Sequence, residues 1–140
     1  MKVILDTNFL IYCAKEKRDY FEAIQNMLNE NYELVVPEQV IRELINLRDD
    51  KLKKVSGKDK DAASLALQIL KKKDVKKVFP KGKTVDDAII NLANEDKKNV
   101  VCTLDREIRW SLGRVILINK GKRFMLTKWY HSKPLKTYFF

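Results

Sequence analysis

Acidic side chains occur near the ends of apolar segments at four separate places in this 140-residue chain. The four candidates are Asp6, Glu43, Asp87 and Asp105. If the fold gathers them, they form a site made only of carboxylate oxygens, which hard divalent cations such as magnesium and manganese prefer. Two such ions about 3.5–4 Å apart activate a water molecule and stabilise the leaving oxygen of a phosphodiester. The pattern therefore indicates metal-dependent phosphodiester hydrolysis.

The formal net charge of +10 is unevenly distributed along the sequence. Segments 1–47 and 84–107, which contain the four candidates, each have a net charge of −3, whereas 48–83 and 108–140 each have +8. Basic surfaces attract polyanions and make their binding salt-dependent. Together with the carboxylates, this separation favours a metal-dependent nuclease. For 48–83 alone, an alternative is that its lysines only solvate exposed helix faces.

Size and composition indicate one globular domain. Hydrophobic residues make up 45% and charged residues 34% of the chain, and no apolar run approaches the roughly 18–20 residues that cross a membrane. The carboxylate at position six is incompatible with a secretory signal, so we expect a cytoplasmic protein without a membrane partner. Cys13 and Cys102 lack the spacing of a zinc site or a disulfide framework. The single histidine, His131, is predicted to be a surface or partly packed residue.

Strand-like and helix-like segments alternate, which is typical of a parallel sheet covered by helices. The predicted strands are Lys2–Leu5, Glu33–Val36, Lys76–Phe79, Asn99–Thr103 and Arg114–Ile118. The predicted helices are Phe9–Lys15, Tyr20–Asn29, Pro37–Leu47, Asp59–Lys73, Asp86–Lys97 and Arg106–Leu112. Functional groups in such sheets collect at the carboxyl ends of strands, where Asp6 and Asp105 are expected.

Most of these acidic residues also have a purely structural interpretation. Asp6 and Asp105 could cap the helices that follow them. Glu43 could be a solvated helix residue that pairs with Arg42 or Arg48. The argument for a site therefore depends on the joint pattern rather than on any single residue.

The third acidic place contains two adjacent carboxylates. Thr84 and Asp87 have the spacing of a capping box at a helix start. A second carboxylate at Asp86 exceeds what capping requires, so both aspartates are candidate ligands, with Asp87 as the first choice.

In combination, the four places resemble the motifs of the PIN domain, a nuclease family. The matching segments are Asp6-Thr-Asn8, Pro37-Glu-Gln-Val-Ile-Arg-Glu43, Asp87-Ala-Ile-Ile-Asn-Leu-Ala93 and Thr103-Leu-Asp105. The resemblance implies an α/β fold of three layers, α/β/α, around a central parallel sheet of four or five strands. It also implies that Asp6, Glu43, Asp87 or Asp86, and Asp105 bind Mg²⁺ or Mn²⁺. Asn8 and Thr103 would then orient water or a carboxylate.

The family implies an endoribonuclease that hydrolyses single-stranded or structured RNA. The continuation after Gly113 resembles archaeal relatives of ribosomal-RNA-processing PIN proteins, which favours a role in rRNA maturation. The alternatives are a VapC-type toxin, which would have an antitoxin partner, and a non-catalytic PIN-like RNA-binding or assembly module. A haloacid-dehalogenase-type phosphatase is disfavoured because its Asp-x-Asp motif would require aspartate at Asn8. DNA as a substrate and a homodimer both remain open.

The final segment has a distinct composition. We expect residues 1–118 to form the PIN domain and residues 119–140 to be a basic, aromatic extension packed on the same domain. Its cations suit RNA phosphates, and its aromatic side chains could stack on unpaired bases. Packing onto the body or onto a second subunit is the favoured interpretation for the aromatics, with Phe124, Met125 and Leu126 forming an edge strand.

Overall fold

The computed structural model describes the chain except for residues 53, 106, 107, 120, 131, 132 and 140, and it describes only the backbone at 109, 110, 128–130 and 133–139. The strands are β1 (Lys2–Leu5), β2 (Glu33–Pro37), β3 (Lys76–Val78), β4 (Val100–Cys102), β5 (Arg114–Ile118), β6 (Phe124–Tyr130) and β7 (Lys133–Phe139). The helices are α1 (Thr7–Lys15), α2 (Tyr20–Met27), α3 (Glu38–Arg48), α4 (Gly57–Lys72) and α5 (Val85–Ala93), and a 3-10 helix spans Ile108–Ser111.

One seven-stranded sheet, in the order β3-β2-β1-β4-β5-β6-β7, forms the centre of the protein. The first five strands of this order are parallel, whereas β6 and β7 pair antiparallel. The side chains of β4 are fully buried, as are Val3, Ile4 and Leu5 of β1. Such continuous apolar runs are typical of parallel strands covered on both faces.

The connections explain how the two faces are covered. From β1 the chain moves through β2 to the edge strand β3, and α1, α3 and α4 pack on one another along this path. Helix α5 then returns past β1 to β4, in the opposite direction. Because such crossovers are right-handed, α5 covers the other face of the sheet. The predicted three-layer α/β fold is therefore confirmed. The sheet has seven strands rather than the four or five predicted, because β6 and β7 add an antiparallel extension to five parallel strands.

Most elements differ from the predicted bounds by one or two residues, and three differences concern the elements around the acidic residues. Helix α5 ends at Ala93 rather than Lys97, because the side chain of Asn99 donates to the carbonyl of Leu92 and holds the following turn against the sheet. Of the segment predicted as helix 106–112, residues 106 and 107 lie outside the described residues, and Ile108–Ser111 form a 3-10 helix rather than an α-helix. Pro37 ends β2 and caps α3 rather than lying in its first turn.

The C-terminal strands extend the same sheet. Strand β6 lies between β5 and β7, so it is not the edge strand that was predicted. At its start, the ring of Phe124 is buried and its centroid lies 5.9 Å from that of Phe9, while the guanidinium of Arg18 lies 4.6 Å from the Phe124 centroid. The boundary at residue 118 stays a prediction. His131 and the side chains of the other tail aromatics lie outside the described residues.

Within the part of the chain that the structure describes, no helix is both long and apolar enough to cross a membrane.

Candidate active site

The first acidic side chain is held between two neighbouring parallel strands. Leu5 of β1 and Cys102 of β4 are paired in register, so the residues that follow them, Asp6 and Thr103, lie side by side. The hydroxyl of Thr103 donates to Asp6 Oδ2 at 2.7 Å, and the amide of Thr7 donates to Asp6 Oδ1 at 2.7 Å. Asp6 is therefore the N-cap of α1 and also a carboxylate fixed at the carboxyl end of the sheet.

Thr103 connects a second carboxylate to the first. Its Oγ1 accepts a hydrogen bond from the amide of Asp105 at 3.0 Å, and its own amide donates to the carbonyl of Ile116 at 3.1 Å. Asp105 Oδ1 accepts from the amide of Ile108 at 3.4 Å. One buried hydroxyl thus orders the loop after β4 relative to Asp6.

The environment of Asp6 opposes its ionisation. Burial raises the pKa of this carboxyl, which is only 4% exposed. The hydrogen bonds from Thr103 and Thr7 lower the pKa, whereas the negative charges of Asp86 and Asp105 raise it. Asp86 and Asp105 must therefore lie close enough to Asp6 for their charges to act on it.

Glu43 belongs to the same electrostatic group. Burial is the main cause that raises its pKa, and the charges of Asp6 and Asp86 raise it further. Among the ion pairs between described side chains, Arg48 binds the adjacent Asp49 and not Glu43. The structure thus brings Glu43 towards Asp6 and Asp86, as expected for a residue at the border of the buried face of α3.

The two adjacent aspartates of α5 point in different directions. The buried residues of this helix are Ala88, Ile89, Leu92 and Ala93. At 3.6 residues per turn, Asp86 lies about 90° from the centre of that buried face, whereas Asp87 lies about 170° from it. The amide of Asp87 donates to Thr84 Oγ1 at 3.1 Å, which is half of the predicted capping box. Helix geometry therefore favours Asp86 over the first choice, Asp87, because Asp86 lies nearer the buried face and its charge acts on Asp6 and Glu43.

The family described as PIN like domain matches residues 3–119. The chain belongs to this family. Ribonuclease VapC4 from Methanocaldococcus jannaschii is 37% identical over 111 residues, which cover 79% of this chain and 82% of that protein. The solved structure of the PIN domain endonuclease Utp24 has a TM-score of 0.65 and 23% sequence identity, and the similarity covers 86% of this chain and 87% of that chain. It shows the shared fold.

The protein is thus a PIN-domain nuclease, as predicted. Nucleases of this family generally use divalent metal ions. Within the described residues, no group of three or more His, Cys, Asp or Glu side chains is close enough to hold a metal ion as placed. The carboxylates do repel one another, since their charges raise the pKa values of Asp6 and Glu43. A divalent cation relieves such repulsion, and hard cations prefer carboxylate oxygens, so the donor chemistry of Asp6, Glu43, Asp86 and Asp105 fits such an ion.

The sequence analysis missed Gln39, which links α3 to the loop that precedes α5. The side-chain amide of Gln39 is buried and donates to the carbonyls of Pro80 at 2.8 Å and Gly82 at 3.0 Å. Because Gln39 lies four residues before Glu43, both side chains lie on the same face of α3. Gln39 therefore ties the helix that carries Glu43 to the loop that leads to Asp86.

The same loop contains a glycine that the packing requires. Gly82 has a φ of +146°, and a Cβ there would lie 2.5 Å from the amide nitrogen of Ala88. The loop thus packs directly against the first turn of α5. A glycine two residues before the capping Thr84 is the sequence signal that could have indicated this close approach.

Asn8 is exposed in the first turn of α1. Its predicted role in orienting water or a carboxylate stays a prediction, whereas the hydroxyl of Thr103 does contact a carboxylate.

Proposed function

We propose that this protein is an endoribonuclease that hydrolyses RNA phosphodiester bonds with Mg²⁺ or Mn²⁺. The observation that carries the proposal is the Asp6 carboxylate, which Thr103 and Thr7 hold at the carboxyl end of the sheet and on which the charges of Asp86 and Asp105 act. The net charge of +10 supports a polyanionic substrate. The 37% identity to a protein named ribonuclease supports RNA rather than DNA.

The roles proposed for the residues follow from how firmly each is held. Asp6 receives two hydrogen bonds and is the fixed ligand. Glu43, Asp86 and Asp105 are less buried and would complete the site around it. The metal, when bound, supplies an activated water and neutralises charge on the phosphate. The hydroxyl of Thr103 fixes the orientation of Asp6 Oδ2. The same hydrogen bond lowers the pKa of Asp6 and so favours its ionised form.

Two biological roles are consistent with this activity. The resemblance to ribosomal-RNA-processing relatives favours RNA processing in the cytoplasm, in the form of rRNA maturation. The identity to Ribonuclease VapC4 favours a toxin with an antitoxin partner. Controlled expression in a bacterial host separates them, because a toxin arrests growth in the wild-type form and not as Asp6→Asn. Normal growth together with altered rRNA ends would support the processing role. Association into a homodimer stays a prediction.

The activity itself is tested by cleavage. A structured RNA and its DNA counterpart are incubated with the purified protein in Mn²⁺, Mg²⁺ or EDTA, beside Asp6→Asn and the matched variant Asp87→Asn. We expect metal-dependent RNA cleavage that Asp6→Asn abolishes and Asp87→Asn retains. RNA binding without cleavage in either metal would instead support the non-catalytic module.

A further inference from the structure

An exposed aromatic ring lies among lysines at the edge of the sheet. Phe79 follows β3 directly, and 69% of its surface is exposed. The ammonium nitrogen of Lys77 lies 5.5 Å from the centroid of its ring. The loop that follows adds Lys81 and Lys83, both exposed. This group of Phe79, Lys77, Lys81 and Lys83 is called the edge platform below.

The edge platform lies at the same end of the sheet as the carboxylates. Strand β3 is parallel to β2, and Val78 is paired with Pro37, so Phe79 stands where the carboxyl ends of the strands meet. The next residue, Pro80, accepts the hydrogen bond of Gln39. Gln39 precedes Glu43 by four residues, which is about 6 Å along the axis of α3. The platform therefore lies beside the helix that carries a proposed metal ligand.

A cleft between α3 and the loop before α5 is lined by Lys83 of the edge platform and by Glu43. Its volume is about 360 Å³, and its lining includes Glu43 together with Arg42, Lys83 and Gln39. Two cations thus stand beside a carboxylate that is a proposed metal ligand. A phosphate chain can run through such a cleft, because the cations offset the repulsion between its charge and the carboxylate.

Protection of the sheet edge does not explain the platform. Lysines on an edge strand prevent pairing with other chains. Lys76 of β3 fits that role, and its Nζ lies 3.6 Å from Glu33 Oε1 on the neighbouring strand. An exposed phenyl ring has the opposite effect, since exposed apolar surface promotes association. Edge protection therefore accounts for Lys76 but not for the ring at position 79.

We propose that Phe79 stacks on an unpaired base of the substrate while Lys77, Lys81 and Lys83 contact its phosphates. Aromatic side chains among cations bind single strands in this way, because every base presents a flat face and every nucleotide a charge. A base within a duplex is already stacked on both sides, so the edge platform selects unpaired RNA. The inference rests on the proposed function in taking RNA as the substrate.

Binding of a fluorescent single-stranded RNA, measured by anisotropy in EDTA, tests the platform without any cleavage. Stacking on an aromatic ring typically changes affinity about 5- to 150-fold, so we expect Phe79→Ala to bind about tenfold more weakly and Phe79→Trp at least as tightly as the wild type. The matched control is Leu52→Ala. Leu52 is 73% exposed and adjoins Lys51, but it follows the far end of α3 and has no aromatic face, so binding should change less than about twofold.

An abasic scan identifies the contact itself. Bases of the RNA are removed one at a time, and the wild type should lose affinity at a position where Phe79→Ala loses none. Equal loss for both proteins at every position, or unchanged binding by Phe79→Ala, would overturn the proposal. Since binding is measured without metal, absent cleavage together with a base-dependent Phe79 effect would refute the nuclease and leave the platform standing. Normal cleavage with no Phe79 effect would refute the platform alone.

Discussion

The hydroxyl of Thr103 offers the sharpest test of the site, because one buried side chain contacts both the carboxylate of Asp6 and the backbone of Asp105. It donates to Asp6 Oδ2 and accepts from the amide of Asp105. Thr103→Val keeps the shape of the side chain and the backbone hydrogen bond to Ile116, and removes only the hydroxyl. Any change in metal use by this variant therefore reports on the orientation and charge of Asp6.

The size of the effect follows from the type of hydrogen bond. A bond to a charged group contributes about 1.5–3 kcal/mol, so Thr103→Val should lower the free energy of unfolding by about 2 kcal/mol at neutral pH. In a domain of this size that corresponds to roughly 4–8 °C in Tm. Loss of a residue that supports a metal ligand typically costs about 10- to 100-fold in metal affinity or activity. We expect a shift of that order in the Mn²⁺ midpoint for cleavage.

The pH dependence has a defined sign. The Thr103 hydrogen bond lowers the pKa of Asp6, while burial raises it. Without the hydroxyl the pKa rises further, so the acid limb of metal-dependent cleavage should move to higher pH. When the pKa of a carboxyl is higher in the folded than in the unfolded protein, the free energy of unfolding falls as the pH rises from the unfolded pKa through the folded pKa. The destabilisation by Thr103→Val should therefore be larger at pH 8 than at pH 4.

The assays are Mn²⁺ titrations of cleavage and of the Mn²⁺-induced rise in Tm, each repeated across pH. Thr103→Ser is the control, because it keeps the hydroxyl and loses a methyl group worth about 0.8 kcal/mol. It should be mildly destabilised and retain the wild-type Mn²⁺ midpoint. If the valine and serine variants share one Mn²⁺ midpoint and one pH profile, the hydroxyl does not orient Asp6 and the reasoning is refuted.

Three further predictions concern α5 and its supports. Asp86→Asn should lower Mn²⁺-dependent cleavage at least about 100-fold, whereas Asp87→Asn should change it less than about threefold. The opposite order would restore Asp87 as the preferred ligand. Gln39→Leu leaves two carbonyls without their donor, so urea unfolding should show a loss of about 2 kcal/mol, and unchanged stability would contradict the connecting role. Gly82→Ala should cost at least about 2 kcal/mol because its Cβ would lie 2.5 Å from a backbone nitrogen of α5. By contrast, Gly57→Ala, with open space around it, should be neutral or stabilising by up to about 1 kcal/mol in thermal melts.

The bounds of strands and helices were predictable where the local sequence pattern and the tertiary contacts favour the same end point. Strands β1 and β5 have the predicted bounds, because their apolar runs are continuous and end abruptly at polar residues. Helix α5 was predicted to end four residues too late. Asn94 is its C-cap, and the hydrogen bond from Asn99 to the Leu92 carbonyl is a contact that periodicity does not reveal. Strand β6 was predicted at the edge of the sheet, but β7 pairs with it antiparallel on the side away from β5 and takes the edge position.

The sequence by itself determined the family, the order of the acidic motifs and the separation of positive from negative charge, because each of these is a property of residue types and spacing. Only the tertiary structure decided which aspartate of α5 lies nearer the buried face, and that Gln39 and Gly82 set the position of that helix. Those features depend on the rotation of one helix about its axis and on contacts between segments about 40 residues apart. Neither the helix rotation nor such a long-range contact can be read from local sequence periodicity.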